Sequence, residues 1–118
     1  MIEIAGGRAE VGLGGDVSIS SGASRTDSSG AVTIDTADSG LSGVSGDILM
    51  YTGKSTGGSS GAMSFRTGSA IDGAGGNLYF QVGDGDHFNG GSVFLAAGRT
   101  TAPGQSGGDI VMTGGEGM

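Results

Sequence analysis

The chain has 118 residues, 29 of them glycine and none cysteine, with 23 Leu, Ile, Val and Phe residues and a net charge of −7. So little apolar surface set against so much backbone freedom excludes an ordinary globular core, and only a strict pattern could order the chain. Without cysteine there are no disulfides and no thiolate-bound zinc, and five basic against twelve acidic residues argue against nucleic acid or an anionic bilayer as partner.

Taken in chain order, residues 1 to 15 hold no apolar run of signal-peptide type, and no later stretch is long and apolar enough to cross a membrane. What the chain does hold is a repeat. Glycine recurs at 15, 30, 46, 61, 76, 91 and 108, each preceded by Gly or Ser, which defines a unit of about fifteen residues present in eight copies over 1–118. With that glycine as position zero, positions two and four are large and apolar in every copy. They are Ile2 and Ile4 in a truncated first copy, then Val17 and Ile19, Val32 and Ile34, Ile48 and Met50, Met63 and Phe65, Leu78 and Phe80, Val93 and Leu95, and Ile110 and Met112.

A spacing of two places both side chains on one face of an extended segment, so each copy is read as one short strand. Position six continues that face with Ser21, Thr36, Thr52, Thr67, Val82, Ala97 and Gly114. A second glycine at position seven, replaced only by Ala37, is where the backbone is expected to turn. Position nine is always small, from Ala9 and Ser24 to Thr100 and Gly117, which would let a return segment approach the strand closely.

These features predict an all-β chain, a parallel β-solenoid of about eight coils. Strands would stack at roughly 4.8 Å in a rod of roughly 38 Å. An intertwined trimeric β-prism is a second arrangement, and an antiparallel meander a third, the last requiring long loops where hairpins usually have two to five residues. Stacked copies would bring like positions together. Position eight reads Arg8, Ala23, Asp38, Lys54, Ser69, Asp84, Arg99 and Glu116, so that its neighbouring charges are all opposite in sign, and position ten sets Glu10 beside Arg25. The array begins and ends within a copy and has no polar cap, which implies an excerpt of a longer array or a chain that stacks on a neighbour.

The outward positions three and five change along the chain, from Glu3, Ser18 and Thr33 early on to Leu49, Tyr51, Tyr79, Phe94 and Val111 later. These five large groups are the predicted interface, with another subunit or with adjacent repeats of the same protein, as a trimer or by end-to-end stacking. Chemistry is sparse. His87 is the single histidine and supports no Ser/His/Asp set, the acids are spread over several columns, and no catalytic residue or cofactor is expected, so the chain is read as not an enzyme. Asp84 and Asp86, in Gly-Asp-Gly-Asp, are the one calcium candidate, present once and better explained as a turn.

Segments such as Gly-Gly-Asp-Val-Ser-Ile-Ser-Ser-Gly (14 to 22) and Gly-Gly-Ser-Val-Phe-Leu-Ala-Ala-Gly (90 to 98) resemble the Gly/Ser-rich strand repeats in shafts of phage tail fibres, bacterial adhesins and algal or viral surface proteins. The resemblance covers the whole chain and rests on composition that any repetitive β-shaft shares. It implies a homo-oligomeric spacer or attachment role, extracellular or on a virion surface, with receptor binding left to a tip domain. Competing readings are an ice-binding β-solenoid, for which Thr36, Thr52 and Thr67 form a short rank, and a carbohydrate-binding or carbohydrate-active surface module.

Overall fold

In a computed structural model, which describes residues 1–117, the chain forms two units, Met1–Ala62 and Met63–Met118. Neither unit contains a helix or a strand among the described residues. The chain is extended and coil-like, and no side chain among those residues is buried. The predicted all-β class, with its β-solenoid or β-helix coils, is therefore corrected, and so are the paired strands of the meander and the prism. The physical reason is legible in the repeat itself. Two large side chains per copy are all that a coil could bury, too little to order the fifteen residues of that copy when several are glycine.

The fifteen-residue period nevertheless organises the backbone. Three-residue bends fall at 10–12, 25–27, 41–43, 56–58, 71–73, 86–88 and 102–104, one in each of the first seven copies. The turn expected at position seven thus lies three or four residues later. None of the position-seven glycines takes a left-handed backbone. Instead that position forms one side of a neck, across which the position-zero amide of the next copy donates to its carbonyl. The bonds are Gly15 N to Gly7 O at 2.8 Å, Gly30 N to Gly22 O at 2.9 Å and Gly108 N to Gly98 O at 2.9 Å. Each of these three copies is then an extended segment followed by a loop whose ends are drawn together.

Position nine is small because it leans over the bend. Ser24 Oγ accepts from the Thr26 amide at 3.3 Å and the Asp27 amide at 3.0 Å, and Thr100 Oγ1 accepts from the Ala102 amide at 3.1 Å. A hydroxyl one or two residues ahead of a turn offers the freed amides an acceptor in this way. The last bend is a β-turn closed by Gln105 N donating to Ala102 O at 3.3 Å, with Pro103 at its second position and Gly104 at φ 74° at its third. Pro followed by a left-handed glycine is the type II pattern.

Bends of two kinds alternate. The first, third, fifth and seventh contain a residue of positive φ, respectively Gly12 (91°), Gly43 (135°), Asp72 (57°) and Gly104 (74°), and the three between them contain none. The sequence follows the same alternation. Val11, Leu41 and Ile71 occupy the first, third and fifth bends, and the position-one residue after each left-handed bend is Asp16, Asp47, Asn77 or Asp109. After the other bends it is Ala31, Ala62 or Ser92. The full chemical period is therefore two copies, about thirty residues, where the strand pattern alone had given fifteen.

Candidate functional site

What recurs in every copy is the extended segment, and its two faces are not equivalent. Position-two side chains from Val17 to Ile110 are 46 to 57% exposed, whereas the outward Leu49, Tyr51, Tyr79, Phe94 and Val111 are 73 to 90% exposed. The period-two reading of the faces is thus visible at position two alone, since the position-four side chains from Ile19 to Met112 are 50 to 84% exposed and overlap the outward range. Val82, at position six, is the least exposed large apolar residue at 39%. Its side chain lies over the position-zero glycine that follows.

That contact recurs along the chain. A Cβ on Gly91 would lie 2.7 Å from Val82 Cγ1, one on Gly46 3.4 Å from Thr36 Cγ2, and those on Gly61 and Gly76 3.8 Å from Thr52 and Thr67. The threonines proposed as an ice-facing rank thus turn toward backbone of their own loops. At the first neck the approach is backbone to backbone, since a Cβ on Gly15 would come 2.7 Å from Gly7 N. At Gly15 and Gly91 the preceding segment fills the space a Cβ would need, whereas at Gly46, Gly61 and Gly76 a Cβ would make ordinary contact.

The outer face carries one polar contact, Asn77 Nδ2 donating to Tyr79 Oη at 2.8 Å. These residues occupy positions one and three, on the same side of the segment. Asp84 and Asp86 lie before and at the sixth bend, both exposed, and no group of three or more His, Asp or Glu among the described residues is placed to hold a metal. His87 meets Phe88 edge-on, with centroids 5.9 Å apart and planes at 72°. A recess lined by Ser64, Arg66, Thr67, Gly68 and Ser69 belongs to a single extended segment. With one cation and no carboxylate it holds no acid–base pair.

Two features escaped the period-two reading. Large apolar side chains lie in or directly after the bends, Val11, Leu13, Leu41, Val44, Ile71 and Phe88, each at least 90% exposed. The hydroxyl caps Ser24 and Thr100 are the other. Thirty-residue periodicity marks Val11, Leu41 and Ile71 but not Phe88 in the sixth bend, and the rule that Ser and Thr bond to nearby turn amides marks the caps.

The surface as a whole is far larger than a compact monomer's. It amounts to 12,320 Å² for 11.3 kDa. A compact domain of that mass exposes about 5,700 Å² and its unfolded chain about 16,000 Å². No helix among the described residues is long and apolar enough to cross a membrane. Comparison with protein-family models, curated proteins and solved structures finds no match.

Proposed function

We propose that this chain is a structural repeat segment, a shaft or spacer of a fibre, virion or cell-surface appendage, that works by associating with copies of itself. The observation that carries this reading is the apolar pair at positions two and four, present in all eight copies and left about half exposed or more in each. A surface so periodic fits a partner of the same period, and a further copy of the chain is the partner that has it. The excess area supports more than one neighbour. About 6,600 Å² would have to be covered to reach a compact surface, more than a single large obligate interface supplies to one chain. An extracellular or virion location belongs to the same proposal.

Size-exclusion chromatography with light scattering tests it. The purified chain is expected as a trimer or larger, and a stable folded monomer at every concentration would overturn the reading. No observation favours ice binding, whose flat ranks depended on stacked coils, or a carbohydrate-active site.

A further inference from the structure

Given self-association, the charges of the repeat specify the register. Position eight carries Arg8, Asp38, Lys54, Asp84, Arg99 and Glu116, all exposed. Parallel chains with no offset would set each of these against itself. An offset of one copy pairs Asp38 with Lys54, Asp84 with Arg99 and Arg99 with Glu116, every pair opposite in sign. An offset of two sets Asp84 against Glu116, and an offset of three sets Arg8 against Lys54, Asp38 against Asp84 and Lys54 against Arg99. Among offsets of up to four copies, those of one and of four have no like pair at this position, the latter pairing Asp38 with Arg99 and Lys54 with Glu116. Facing like charges destabilise a pairing and facing opposite ones support it.

Position one removes the offset of four, which sets Asp47 against Asp109, and leaves the offset of one as the choice that both columns allow. At position one, Asp16 and Asp47 belong to the second and fourth copies, so an offset of none or two brings acids together. An offset of one sets them against Ala31 or Ala62. At position ten the same offset joins Glu10 to Arg25. Successive copies of one chain do not supply these pairings, because the chain is extended and unpaired, and the recorded necks join only the two ends of a loop.

We infer that the partner covering the apolar pairs is a second copy of this chain, parallel to the first and displaced by one fifteen-residue copy. The displacement sets each left-handed bend beside a bend of the other kind, which gives the thirty-residue alternation a role in matching. The contact is heterologous, so the same displacement can repeat from chain to chain.

Cysteine cross-linking reads the register directly, since the chain has no native cysteine. Ser39 and Ser55 occupy position nine of successive copies. Chains carrying Ser39→Cys and chains carrying Ser55→Cys, mixed and oxidised, are expected to give the 39-to-55 disulfide, and a 39-to-39 product would overturn the displacement. Charge reversal gives a second reading. Arg99→Glu should raise the concentration of half-association roughly ten-fold at low salt, and Asp84→Arg/Arg99→Glu/Glu116→Arg should return it to within about two-fold of the native value. In-register chains would be indifferent to all three changes, and that result would also overturn it. If the native chain never associates, the functional proposal itself fails. If it associates but cross-links 39 to 39, only the register does.

Discussion

A methyl group on Gly91 would lie 2.7 Å from Val82 Cγ1, so the side chain that closes one extended segment dictates the absence of a side chain where the next begins. The two residues belong to successive copies, and the same relationship links Thr36 to Gly46 and Thr52 to Gly61 at longer range. It makes glycine a packing requirement at position 91, while at Gly46 and Gly61 a methyl group would make ordinary contact.

Alanine substitutions should therefore rank by what the new methyl meets. Gly15→Ala meets the Gly7 backbone nitrogen, must open the neck bond from Gly15 N, and is expected to be the most damaging. Gly91→Ala meets a side chain that can rotate, at a cost of about 1 kcal/mol, and Val82→Ala should restore it. Gly53→Ala meets open space and should leave the isolated chain unchanged. Amide hydrogen exchange at the position-zero glycines measures all three, and equal effects would contradict the ranking.

Ser24→Ala removes the acceptor shared by the Thr26 and Asp27 amides. In an exposed bend the loss is about 0.5 kcal/mol. Exchange at those two amides should quicken by about two-fold on the same basis, with Ser24→Thr close to native.

Asp72 is the one non-glycine residue with a positive φ among the described residues, at 57°. Aspartate tolerates that region and a β-branched side chain does not. Asp72→Gly and Asp72→Asn should preserve the fifth bend, while Asp72→Val should destabilise it by about 1–2 kcal/mol. Chemical shifts of Ile71 and Gly73 report which occurs.

The faces of a single copy can be set against each other. Ile48→Ser/Met50→Ser removes the apolar pair of the third segment after the first, and Leu49→Ser/Tyr51→Ser removes its outward neighbours. Sedimentation should show association weakened more than ten-fold by the first change and less by the second. The reverse order would move the interface to Leu49, Tyr51, Tyr79, Phe94 and Val111.

The copy number, the apolar pairs and the two-sided segments could be read from the sequence because glycine spacing and period-two alternation are local properties. Strand pairing was not legible. Whether Val17 and Ile19 meet another copy's pair depends on surface that a single chain does not bury, and alternation alone says nothing of it. Glycine at position seven predicts a turn there only where it marks left-handed backbone. Gly22 and Gly98 instead accept a neck bond with ordinary backbone, and the left-handed residues are Gly12, Gly43, Asp72 and Gly104 in alternate bends. Asp72 shows why the signal was easily missed, since one of the four is not glycine.

The central claim, that further copies cover the positions two and four of this chain, can be tested with methionines already in place. Met50, Met63 and Met112 occupy those positions, while Met1 lies outside them and is fully exposed. Peroxide converts an accessible methionine to its sulfoxide, and burial slows the reaction. As protein concentration rises through the association range, oxidation of Met50, Met63 and Met112 should slow several-fold relative to Met1. Equal rates for all four at concentrations where light scattering shows assembled particles would contradict the claim.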